Sequence, residues 1–142
     1  MTARRLFLAF LALLFSQAAL AQGTLKIGVI GSGRIGSTIG ALWAKAGHEV
    51  MFSDRDAETA KRAAEAAGGK ARTGSVAEAA AFGDAVLIAV PYGALPAVHQ
   101  EAGDRLKGKV VIDPNNPIPG RDGELGVTAR ELIEEHGGGV WR

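Results

Sequence analysis

The sequence predicts an α/β fold, a doubly wound parallel sheet in a single domain, on three observations. Short apolar runs of strand length alternate with segments of helical period. Those runs are apolar on successive residues, the pattern of strands covered on both faces. A glycine-rich turn follows the first run at once, at the edge where such sheets hold their ligands. The 142 residues suit one domain, and 47% hydrophobic against 22% charged excludes a disordered chain.

The first twenty-one residues stand apart from this pattern. Arg4 and Arg5 precede the unbroken apolar run Leu6 to Phe15, and Ala19-Leu20-Ala21 closes the stretch. A basic start, an apolar core and an A-x-A end read as a secretory signal over residues 1–21, which predicts a periplasmic or secreted protein. A ten-residue run spans about 15 Å as a helix, half a hydrocarbon core, so no permanent membrane anchor is expected. Arg4-Arg5-Leu6-Phe7-Leu8 resembles the twin-arginine export signal, while the dense Leu/Phe core fits the general secretory route; both remain open.

The absence of cysteine excludes thiolate metal sites and a disulfide framework. A net charge of +1 and 6% aromatics give no case for nucleic acid or an anionic membrane surface.

Residues 24–142 form the expected domain. Thr24 to Ile30 is the first strand; Ile35, Ile39, Leu42, Trp43 and Ala46 then recur at helical spacing up to Gly47. Glu49 to Ser53 is the second strand. Ala57 to Ala67, rich in helix formers, ends at Gly68-Gly69. Ser75 and Glu78 make a capping box for a short helix, and Ala85 to Val90 is a third strand stopped by Pro91. One amphipathic helix is expected from about Ala94 to Leu106, then a strand Lys109 to Asp113, a Pro/Asn/Gly loop, and a last helix Thr128 to His136. Val140-Trp141 reads as the opening of another strand, so the expectation is a domain shortened at its sixth strand, with Trp141 a natural homodimer contact.

Gly31-Ser32-Gly33-Arg34-Ile35-Gly36 is a G-x-G-x-x-G turn, and here it has the setting that gives it meaning. It follows a strand, opens a helix, and has Asp54 at the end of the next strand. Gly31 allows the tight turn, Gly33 lets backbone approach a pyrophosphate on the helix N-terminus, and Gly36 permits close packing. This is a dinucleotide-binding, Rossmann-type pattern. Glycines used purely for packing, or a methyltransferase-type nucleotide site, are the alternatives. Asp54 could bond a ribose and repel a 2′-phosphate, favouring NAD; Arg55 could pair that phosphate, favouring NADP. The pattern leaves the two cofactors open.

Lys26 to Gly36, Ala46-Gly47-His48-Glu49-Val50, Gly83 to Tyr92 and Val111-Ile112-Asp113-Pro114-Asn115-Asn116-Pro117 together resemble the N-terminal domain of the NADPH-dependent deazaflavin (F420) reductases. The pyrroline-5-carboxylate reductases resemble it more distantly. The likeness runs from about Lys26 to Asp122. It implies NADP as cofactor, a deazaflavin or other small hydride acceptor as co-substrate, and an oxidoreductase. The family's Ser-Arg after the second strand is Asp54-Arg55 here, and the expectation of a shortened domain leaves the family's further C-terminal helices without a counterpart.

Val90-Pro91-Tyr92 and Asn115-Asn116 both follow strands and are expected at the ligand edge. Tyr92 is expected against the nicotinamide or its ribose, and Asn115 or Asn116 to bond ribose or carboxamide. Hydride transfer needs orientation and water exclusion more than a side-chain acid, so no catalytic residue is assigned. His48 reads as structural. A non-enzymatic nucleotide-binding module, or a shortened relic that needs a partner chain, is the rival to the enzyme.

Overall fold

The computed structural model describes residues 23–115. The signal at 1–21, the helix expected at 128–136 and the strand opening at 140 lie outside them. Five strands form one parallel sheet: β1 (Lys26–Ile30), β2 (Glu49–Ser53), β3 (Arg72–Thr73), β4 (Ala85–Ile88) and β5 (Val110–Ile112), in the order β3-β2-β1-β4-β5. Four α-helices connect them: α1 (Arg34–Lys45), α2 (Ala57–Ala67), α3 (Val76–Phe82) and α4 (Leu95–Ala102). The chain winds outward from β1 to β3, then crosses back to place β4 on the other side of β1. That reversal makes the carboxyl ends of β1 and β4 the switch point of the sheet.

Local chemistry sets both ends of α2 and the start of α3. Asp56 caps α2 by accepting from the Glu58 N–H at 3.2 Å, and Gly68 stops it at φ +66°. Ser75 and Glu78 form the expected capping box on α3. Lys109 holds the other end of α3, its Nζ donating to the carbonyls of Ala80, Ala81 and Gly83 at 2.6, 3.0 and 2.7 Å. That bond set fixes β5 against α3, and nothing in the sequence pattern announced it.

The expected helix from Ala94 to Leu106 is in fact three pieces. A 3₁₀ turn at Tyr92–Ala94 leads into α4, and Gly103, at φ +54°, breaks it into a second 3₁₀ turn at Gly103–Leu106. The strand expected to reach Val90 stops at Ile88. β3 was not foreseen: its two residues are both exposed and carry no apolar signal.

The sheet is covered on both sides, as its apolar runs require. One face buries Ile27, Val29, Val50, Phe52 and Leu87 under α1 and α2, where Ala60, Ala63 and Ala64 allow close approach. The other buries Ile30, Val86, Ile88 and Val111 under α3 and α4. Each such aliphatic or aromatic side chain stabilises the fold by about 1.5–3 kcal/mol. The two layers hold the carboxyl edge of the sheet rigid, which is what a ligand site there needs.

Candidate functional site

The turn after β1 is built from bonds that run to the end of β2. Gly31 sits at φ +93°, and a Cβ there would strike the Ala89 carbonyl, so only glycine fits. Its N–H donates to the Ser53 carbonyl at 2.8 Å, and the Ser32 hydroxyl donates to the same carbonyl at 3.0 Å. Ser32, 4% exposed, is therefore a brace within the turn. A Cβ on Gly36 would meet the Gly31 carbonyl, so α1 can start this close to the strand solely because no side chain intervenes.

Gly33 is different. It is exposed, and among the described residues nothing beyond its own chain neighbours lies within 4 Å of where its Cβ would stand. It is the N-cap of α1, with no side-chain cap and no acidic residue in the first turn, unlike α2 and α3. The exposed Arg34 and the half-exposed Ile35 open α1 beside Gly33, at the positive end of the helix dipole. That is a cradle for an anion, with the space beside Gly33 left free for it.

Asp54 follows β2, and the structure gives it work the sequence did not suggest. One carboxylate oxygen accepts from the Ser32 N–H at 2.8 Å and the other from the Asp56 N–H at 3.1 Å. It ties the glycine turn to the entry of α2. Arg55 beside it is exposed and has no ion-pair partner among the described residues; the ion pairs there join Arg62 to Asp56, Arg72 to Glu49 and Lys107 to Asp104.

These groups border a cavity of about 490 Å³. Gly31, Gly33, Asp54 and Arg55 bound it on one side, and Val90 and Pro91 after β4 on the other. Six of the residues expected from sequence thus converge on one concavity of nucleotide-sized volume.

Tyr92 does not join them. It is 0% exposed and packs with Ile30, Val86, Ile88, Leu95 and Val98, because the 3₁₀ turn after Pro91 directs the ring back beneath the sheet. The expectation that it would meet the nicotinamide is corrected: it is a core residue. Asn115 reaches the carboxyl edge, but its Nδ2 donates to the Ile88 carbonyl at 2.8 Å and so ties the exit of β5 to β4. It does not line the cavity. Asn116 lies outside the described residues.

Asp113 was missed by sequence reasoning. Its Oδ1 accepts from the Asn115 N–H at 2.8 Å, while its Oδ2 is buried with no partner among the described residues. Burial pushes its carboxyl above the ordinary carboxylate range, a shift the bond from Asn115 partly offsets. His48 accepts from the Leu25 N–H through Nδ1 at 3.2 Å, a structural contact at the opposite end of β1.

A family model described as NADP oxidoreductase, coenzyme F420-dependent, matches residues 26–117. Among solved structures, one described as an F420-dependent NADP-reductase from Arthrobacter sp. is 25% identical, with a TM-score of 0.66. The match covers 78% of this chain and 57% of that one. A 3-hydroxyisobutyrate dehydrogenase of Mycobacterium tuberculosis is 28% identical at a TM-score of 0.55, over 66% of this chain and 32% of that one. An imine reductase from Myxococcus stipitatus in complex with NADP+ is 21% identical, TM-score 0.62, over 80% and 38% respectively, and shares the fold. The chain thus spans little more than half the length of the first of these structures, and less of the others. No curated protein matches it. The Rossmann sheet, the glycine turn in its working setting and a family match over most of the chain lead to one conclusion: the chain belongs to the coenzyme F420-dependent NADP oxidoreductase family.

Proposed function

We propose that the chain is the NADP(H)-binding part of an exported reductase that moves a hydride between the nicotinamide and a deazaflavin or another small acceptor. The observation that carries the choice of NADP(H) is the pair Asp54 and Arg55. Both oxygens of the carboxylate are engaged by backbone N–H groups, and Arg55 beside it borders the cavity with no ion-pair partner among the described residues. A cation in that place suits a 2′-phosphate.

The residues present fit the cofactor. The open space at Gly33 and the uncapped start of α1 would take the pyrophosphate, and Arg55 the 2′-phosphate. Bound nicotinamide supplies two-electron hydride chemistry. The protein's share is to hold the dinucleotide rigidly on the sheet edge, with Val90 and Pro91 walling the cavity beside β4. Arg4-Arg5, the apolar run after them and the Ala19-Leu20-Ala21 end support export.

A second reading is a binding module that needs a partner chain for turnover. This reading places the acceptor's walls outside the part that matches 57% of the Arthrobacter protein. Binding of NADPH measured beside its oxidation by deazaflavin and flavin acceptors separates the readings. Binding with turnover supports the reductase, binding without turnover supports the module, and absence of binding refutes both.

A further inference from the structure

One polar group of a residue in the cavity wall is used neither by the fold nor by the contacts assigned above. Ser53, the last residue of β2, is 1% exposed, and its Oγ is buried with no hydrogen-bond partner among the described residues. Its own carbonyl is fully occupied, accepting from Gly31 and from Ser32. Its side chain lies on the α3/α4 face of the sheet. Ile30, its partner in register, belongs to that layer, and Phe52 before it belongs to the other. On that face Ser53 forms part of the cavity wall, together with Val76 of α3 and Val98 of α4. A hydroxyl left unpaired in an interior is unfavourable, and such a group in a binding cavity marks a place where a ligand atom completes the bonding.

We infer that Ser53 is a further cofactor-binding residue, its hydroxyl donating a hydrogen bond to the adenosine half of the dinucleotide. This rests on the dinucleotide reading of the site. The pyrophosphate belongs at Gly33 and the 2′-phosphate at Arg55, and both border the same cavity as Ser53. The portion of the ligand that lies between those anchors and against the apolar walls of α3 and α4 is adenosine. Its ring nitrogens and ribose oxygens are acceptors that a serine hydroxyl can reach with one short bond. Ser53 therefore contributes to affinity at some expense of the stability of the free protein.

The test compares the full chain with its Ser53→Ala variant, using NADPH, adenosine 2′,5′-bisphosphate and nicotinamide mononucleotide in calorimetry, beside thermal melts of both proteins. The expected result is about fivefold weaker binding of NADPH and of the bisphosphate. Nicotinamide mononucleotide should be unaffected, and the melting temperature of the free variant unchanged or higher. Equal affinities in the two proteins overturn the inference. A melting temperature that falls along with affinity also overturns it, since Ser53 would then be a structural group. A loss confined to nicotinamide mononucleotide overturns the assignment to adenosine. If the unmodified chain binds no NADPH at all, the failure lies with the dinucleotide reading itself, and the inference falls with it.

Discussion

Replacing Gly33 with valine separates ligand binding from folding more cleanly than any other change in the turn. The backbone there, at φ −65° and ψ −166°, is extended and open to any residue, and among the described residues only its chain neighbours lie within 4 Å of the new Cβ. Valine is a poorer N-cap than glycine, so the fold should lose at most about 1 kcal/mol. For a domain of this size that lowers the melting temperature by about 4–8 °C. The isopropyl group, however, fills the space over the first N–H groups of α1. Two charge-assisted bonds to a pyrophosphate, at about 1.5–3 kcal/mol each, would be lost, which is about 10²- to 10⁴-fold in affinity. Gly36→Val is the contrast, because its Cβ meets the Gly31 carbonyl and the turn itself must open. Calorimetry with NADPH and thermal melts on both variants read the two quantities. Gly33→Val should fold and not bind; Gly36→Val should fail to fold. Undiminished binding by folded Gly33→Val would refute the placement of the anion at this helix end.

Other changes probe the remaining groups. Asp54→Ala removes the acceptor for the Ser32 and Asp56 N–H groups and should destabilise the fold by about 1–3 kcal/mol. It should weaken NAD(H) and NADP(H) alike; tighter NADP(H) binding in that variant would mean that the carboxylate faces the ribose after all. Arg55→Ala should weaken NADP(H) about tenfold and leave NAD(H) unchanged, since it deletes one charge-assisted pair to the 2′-phosphate. The carboxyl of Asp113 is raised by burial above its ordinary 3.8, so ionising it opposes folding as pH rises through that value and beyond. Asp113→Asn should therefore melt higher than the unmodified chain at pH 8, with the difference shrinking toward pH 4; a constant difference would show that charge is not the cause.

Much of the fold could be read from sequence wherever one local rule decides. The extents of β2 and α2 and the capping box of Ser75 and Glu78 match the pattern, because strand composition, alanine-rich helix and cap chemistry all act within a few residues. The glycine turn was equally legible, since Gly31 and Gly36 answer to backbone geometry alone. Long-range contacts decided the rest. Tyr92 looks like an edge residue beside Pro91, yet the 3₁₀ turn and the apolar layer under α4 draw it into the core. Asp54 has a ribose reader's place in the sequence, while the bond its carboxylate accepts from the Ser32 N–H, 22 residues away, is one that no spacing announces. Lys109 capping α3 and the unpaired oxygen of Asp113 are likewise products of packing, with no signature in composition or spacing. The break of α4 at Gly103 was the one local signal passed over, a glycine inside an otherwise continuous helical period.

We propose that this sheet edge holds NADP(H) through the uncapped start of α1 and through Arg55, which has no ion-pair partner among the described residues. Dissociation constants of the full chain for NADPH and NADH, measured at low and at high salt, test it most directly. The account predicts a micromolar-range constant for NADPH, on the order of −8 kcal/mol. NADPH should be favoured over NADH about tenfold, and the preference should shrink as salt screens the exposed Arg55. Equal or tighter binding of NADH, or a preference indifferent to salt, would contradict it.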